Sequence, residues 1–128
     1  MNTISLSKNY SKMYAAQQRC SATFYDLYPN VSSCIIDYTY RSNGPSGNFS
    51  HNDKLIVNTL QSSSLVAVVC YNPECTEGFF DLSGIIRNMV QNQEEVRDGV
   101  LSCKGEDDDD KIYDCRCKLE YEIKIEYK

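Results

Sequence analysis

The chain has 128 residues and a net charge of −5, with ten tyrosines, no tryptophan, one histidine and seven cysteines. This length suits one domain burying roughly two-thirds of its unfolded surface. The acidic balance argues against non-specific binding to nucleic acid or to an anionic membrane, because phosphate contacts need clustered Lys and Arg; no apolar run approaches the ~20 residues of a membrane span.

Taken in chain order, residues 3–18 place Leu6, Tyr10, Met13, Tyr14 and Gln17 at helical spacing. The stretch 1–19 reads as an N-terminal helix or as a flexible leader. Cys20 opens a predicted strand, Ser21–Tyr28, and Pro29-Asn30 turns the chain. Cys34–Tyr40 is a second strand with Cys34, Ile36, Tyr38 and Tyr40 on one face, and the two strands are expected to form a hairpin. Arg41–Asn48 contains Ser-Asn-Gly-Pro-Ser-Gly-Asn, the clearest loop. Asp53–Ser64 suits a short helix or a strand. Leu65–Tyr71 is a continuous apolar run, which predicts a central strand buried on both faces. Asn72-Pro73-Glu74 turns it, and Cys75 follows.

Asp81–Arg97 is the best helix, with Leu82, Ile85, Ile86, Met89 and Val90 on one stripe. Asp81 or Ser83 can cap its start, and Gly99 supplies the stop. Val100–Cys103 is a short strand, and Lys104–Lys111 is an acidic loop carrying Glu106 to Asp110. From Tyr113 to Tyr127 every odd position is apolar or cysteine and every even one charged. That is a strand with one buried and one wet face, pairing with Val100–Cys103. At ~3.3 Å per residue it would span about 50 Å, so it bends, bulges or projects past its sheet. The expected fold is α+β: an antiparallel sheet of about five strands, the 81–97 helix on one face, and three disulfides.

Cys20, Cys34, Cys70, Cys75, Cys103, Cys115 and Cys117 include no Cys-x2-Cys pair. With a single histidine this speaks against zinc. A disulfide framework of three pairs with one cysteine left over fits better, and it places the mature protein outside the cell. Residues 1–20 lack the apolar region of a signal peptide. Met1 is a cytosolic start or stands where a leader was removed, and the cysteines favour the second. A monomer is expected, with an intermolecular bridge open to the odd cysteine. Sequons occur at Asn9, Asn30 and Asn48.

No phosphate-binding loop, nucleophile elbow or dinucleotide fingerprint is present. Consecutive Asp residues diverge rather than converge on a calcium ion, so the acidic loop reads as solvated. Nucleophilic or acid–base catalysis would have to use His51, the only histidine. It follows the Gly-rich loop beside Asn52 and Asp53 and reads as an exposed loop residue. No metal, cofactor or catalytic residue is expected. Tyrosine-rich strands suit recognition of proteins or sugars, since the ring is large, rigid and polar at its tip.

Two resemblances bear on function. Asn48-Phe49-Ser50, Leu65 to Cys70, Asp81-Leu82-Ser83-Gly84-Ile85-Ile86-Arg87-Asn88 and Asp98-Gly99-Val100-Leu101 resemble a cyanovirin-type lectin repeat. The chain departs from that family in the spacing before Cys70 and between Asn88 and Asp98. The resemblance implies glycan binding near Asn48, Tyr71 and Asn72. Small size, many cysteines, a β-rich core with one helix and Cys115-Arg116-Cys117 resemble secreted effector or avirulence proteins of plant-pathogenic fungi. That resemblance implies a non-enzymatic protein which binds a host component. Together the two readings put candidate binding residues at Asn48, His51, Tyr71, Asn72 and Glu74, with a host protein or glycan as partner; a small hydrolase or nuclease using His51 is the third reading.

Overall fold

The computed structural model describes residues 3–44, 47–71, 78–103 and 117–128. The mixed α+β expectation holds. The sheets are two rather than one of about five strands. The larger orders its strands β2-β1-β6-β5, all antiparallel, from β1 (Val31–Gly44), β2 (Gly47–Ile56), β5 (Val96–Ser102) and β6 (Cys117–Tyr127). The smaller pairs β3 (Ala67–Val69) with β4 (Phe79–Asp81). Helices are α1 (Thr3–Arg19), α2 (Phe24–Leu27) and α3 (Ser83–Gln91).

The alternation of the terminal strand does what it predicts. Cys117, Leu119, Ile123 and Ile125 are buried and Tyr121 is half-buried, while Lys118 and Lys124 are exposed. Its partner on one side is β5, as expected, and on the other β1. Cys34, Ile36 and Tyr40 of β1 are buried on the same face, with Tyr38 packed against them. Residues 113–116 and the acidic loop lie outside the described residues.

The core has two parts. Even-numbered residues of the 66–70 run (Val66, Val68, Cys70) pack toward the large sheet with Phe24, Phe80, Leu82, Ile86 and Met89. Ala67 and Val69 pack instead with Met13 of α1. The apolar run is therefore buried on both faces, as read from its composition. It is sandwiched between the large sheet and α1, and is not a strand of the large sheet.

Local chemistry accounts for the other departures. Ser21–Tyr28 is not a strand. Thr23 and Asp26 form a capping box, each side chain accepting the other's backbone N–H at 3.2 and 2.9 Å, and this starts α2. The rings of Phe24 and Tyr28 then meet at 4.9 Å, both buried. Consequently the first hairpin is β1–β2. It narrows the predicted loop: Asn43 pairs with Asn48 and Gly44 with Gly47. It also resolves the start of 53–64 as strand.

The main helix is shorter than 81–97. Its N-cap position is held by Leu82, without a side-chain cap, and Asp81, one residue earlier, accepts the Ser83 N–H on Oδ1 at 2.8 Å. The stop is Gln93 rather than Gly99. Gln93 has φ +55°; its N–H donates to Val90 and that of Glu94 to Met89 at 2.8 Å, the Schellman arrangement. Tyr127 Oη donates to the Glu94 carbonyl at 2.7 Å, tying β6 to this turn. Gly99 lies within β5, opposite Tyr121.

Candidate binding site

The β1–β2 register sets Tyr40 opposite His51 and Tyr38 opposite Asp53. Alternation puts these four residues on the face that carries the core. Tyr40 is buried there, while His51 and Asp53, toward the edge strand, stay 40% and 59% exposed at the side chain. Tyr71, just past β3, lies across this rim: its ring is 5.0 Å from that of Tyr40 and 5.4 Å from the His51 imidazole, edge to face. Tyr10 of α1 completes the group from the second core layer.

Three tyrosine hydroxyls meet here. Tyr10, Tyr38 and Tyr71 stand near enough that each phenol influences the ionisation of its neighbours. Burial holds the Tyr71 and Tyr38 hydroxyls above the ordinary tyrosine range; for Tyr71 the phenols of Tyr38 and Tyr10 and the Asp53 carboxylate push the same way, and for Tyr38 Asp53 and Tyr10 do so while Tyr71 pulls it partly back. They are therefore neutral donors and acceptors at any ordinary pH. His51 Nε2 is 3.7 Å from Asp53 Oδ2, beyond hydrogen-bond reach. The rim thus offers two half-buried aromatic rings, an imidazole, a carboxylate and neighbouring tyrosine hydroxyls.

Of the residues expected to bind, His51 and Tyr71 are brought into contact. Asn48 falls in β2, paired with Asn43. Asn72 and Glu74 lie outside the described residues. Tyr10, Tyr38 and Asp53 were not expected at the site. The glycines and asparagines of Asn43-Gly44 and Gly47-Asn48 carry the hairpin signal from which the Tyr38–Asp53 pairing follows. Nothing local signals that α1 brings Tyr10 there.

Other features are less suited to recognition. A cavity of about 200 Å³ between Gln17, Leu55, Ser63 and Leu65 has no titratable lining group. On the open face of the large sheet, the register aligns Asp37, Glu122 and Asp98 directly across three strands. Lys54 lies 3.8 Å from Asp37 and Lys124 3.3 Å from Glu122, partly compensating this row. Arg41 pairs with Glu120 on the same face. No group of three or more His, Cys, Asp or Glu side chains among the described residues is placed to hold a metal ion. No helix among them is long and apolar enough to cross a membrane.

Of the sequons, Asn9 is fully buried and donates to the Cys70 carbonyl at 2.9 Å, so a glycan at Asn9 is incompatible with this packing. Asn30 is exposed. Among the cysteines, Cys20 is exposed, whereas Cys34, Cys70, Cys103 and Cys117 are buried. No two sulfurs among the described residues stand at bonding distance. Cys75 and Cys115 lie outside those residues. Burial pushes the Cys34 thiol up to about 12. Tyr40 Oη donates to Cys117 Sγ at 2.8 Å and is 3.9 Å from Cys70 Sγ, so three buried groups converge behind the rim.

Comparison of the chain with protein-family models, with curated proteins and with solved structures finds no match.

Proposed function

We propose that this chain is a secreted, disulfide-rich binding protein of effector type, recognising a host protein through the rim formed by Tyr10, Tyr38, His51, Asp53 and Tyr71. The observation that carries this reading is the Tyr10–Tyr71–Tyr38 hydroxyl set beside His51 and Asp53. Rigid, half-buried rings with polar tips supply contact area at low entropic cost, and polar groups already held in place supply direction. Hydrolysis is supported less well: His51 is out of hydrogen-bond reach of Asp53, and the tyrosine hydroxyls near it are held protonated.

A glycan is the second reading. It is favoured by the same aromatic edge lying next to a carboxylate, since a sugar offers an apolar face and hydroxyls together. The test is to probe plant extracellular extracts and a glycan array with the oxidised protein in parallel. Saturable binding of one purified extract protein, with no array signal, supports the protein reading. Array binding that is lost in His51→Ala supports the glycan. Turnover of a phosphodiester or ester substrate that disappears in His51→Ala would overturn both.

A further inference from the structure

We propose that Cys103 and Cys117 are joined by a disulfide across the β5–β6 pair, pinning the two ends of the 104–116 segment. The inference rests on the disulfide-framework part of the reading above and assigns one of its pairs. The β5–β6 register runs without a break to Ser102 opposite Lys118. The next residues inward are Cys103 and Cys117, and the Cys103 N–H donates to the Cys117 carbonyl at 2.9 Å. Opposed residues of a hydrogen-bonded antiparallel pair have Cα atoms about 5.5 Å apart. Disulfides span Cα separations of about 4.4–6.8 Å, so the backbone is placed for the bond without rearrangement. Both residues are on the core-facing side, 4% and 2% exposed. Two sulfurs so placed are within rotamer reach of one another.

Cys70 is the rival partner, because Tyr40 Oη touches both its sulfur and that of Cys117. Cys70, however, belongs to the β3–β4 layer, where its N–H donates to the Gly78 carbonyl at 2.8 Å. A bridge from there must cross between layers, whereas Cys103 is already the hydrogen-bonded neighbour. The Tyr40 hydroxyl then serves to orient the Cys117 sulfur. Oxidation follows ordinary thiol–disulfide exchange with a low-molecular-weight disulfide such as oxidised glutathione. One thiol loses its proton and attacks glutathione disulfide, releasing one glutathione thiol and leaving a mixed disulfide. The second thiol then displaces the remaining glutathione, so two cysteine thiols are oxidised as one glutathione disulfide is reduced to two thiols. Cys115, two residues away, is left to a different partner.

Trypsin separates the candidates cleanly. Cleavage after Arg97, Lys104, Lys111, Arg116 and Lys118 puts Cys103 in peptide 98–104, Cys115 in 112–116 and Cys117 in 117–118, while Cys70 and Cys75 remain in 55–87. The full chain is equilibrated in a glutathione redox buffer, alkylated, digested without reduction and mapped by mass spectrometry. Peptide 98–104 joined to 117–118 is expected, at their summed mass less two hydrogens, and lost on reduction. Peptide 117–118 joined to 55–87 or to 112–116, or 98–104 joined elsewhere, would overturn the pairing while leaving the disulfide framework standing. Alkylation of all seven cysteines would overturn both.

Discussion

Gly99 sits mid-strand in β5 under the ring of Tyr121, its cross-strand partner. A Cβ built on Gly99 would stand 2.6 Å from Tyr121 Oη and 2.9 Å from Cζ, closer than side chains tolerate. Gly99→Ala must therefore drive the ring off the strand. Displacing a packed side chain costs about 1–3 kcal/mol. With Tyr121→Ala in place, the same change meets no ring and removes only the entropic cost of a strand glycine, gaining about 0.5–1 kcal/mol. The substitution thus changes sign with the background, and the coupling energy should be roughly 1.5–4 kcal/mol. Urea unfolding of the four variants of this cycle measures it, since midpoints shift in proportion to stability while the slope stays constant. A Gly99→Ala midpoint that rises in both backgrounds would refute the reasoning.

Burial raises the Cys34 thiol from 9.0 to about 12. A raised folded-state value means the native protein holds this proton more tightly than the unfolded chain, so the stability is present below pH 9 and is lost as pH rises from 9 toward 12. In the reduced protein, unfolding free energy should decline across that window, and Cys34→Ala should flatten the decline. Tyr71 and Tyr38 are raised for the same first cause and add to the decline in the same direction. Gln93 holds a left-handed backbone at φ +55°, so Gln93→Gly should raise the thermal midpoint, by up to about 1 kcal/mol of stability; a lowered midpoint would show that the α3 stop is misassigned. Tyr40→Phe removes the donor to Cys117 Sγ and should cost about 1 kcal/mol in chemical denaturation.

Much of the large sheet was legible from residue patterns alone. The alternation in β6 and in Cys34–Tyr40 has period 2 over many residues, and burial of one face enforces it wherever the strand pairs. Short elements were less legible. In Ser21–Tyr28 a weak alternation coexisted with Thr23-x-x-Asp26, and two reciprocal side-chain-to-backbone hydrogen bonds decided for helix. The end of α3 was hidden because its left-handed stop carries glutamine rather than glycine, while Gly99, the visible stop signal, is used to seat Tyr121. The run 65–71 was read as buried on both faces, which it is; which layers cover it depends on α1, a contact distant in sequence. The same limit hid half of the rim. His51 and Tyr71 drew notice as single residues, but their meeting, and the addition of Tyr10, arise only when the two core layers close on each other.

The rim itself is best tested by titrating the purified extract partner against the wild-type chain, His51→Ala, Tyr71→Phe and an open-face control, Glu126→Gln, with thermal midpoints recorded in parallel. His51→Ala and Tyr71→Phe should each weaken binding about tenfold or more, the ~1.4 kcal/mol that one well-placed polar contact supplies, while Glu126→Gln binds as wild type and all midpoints stay close. Wild-type affinity in both rim variants, with their folds intact, would contradict the placement of recognition at this site.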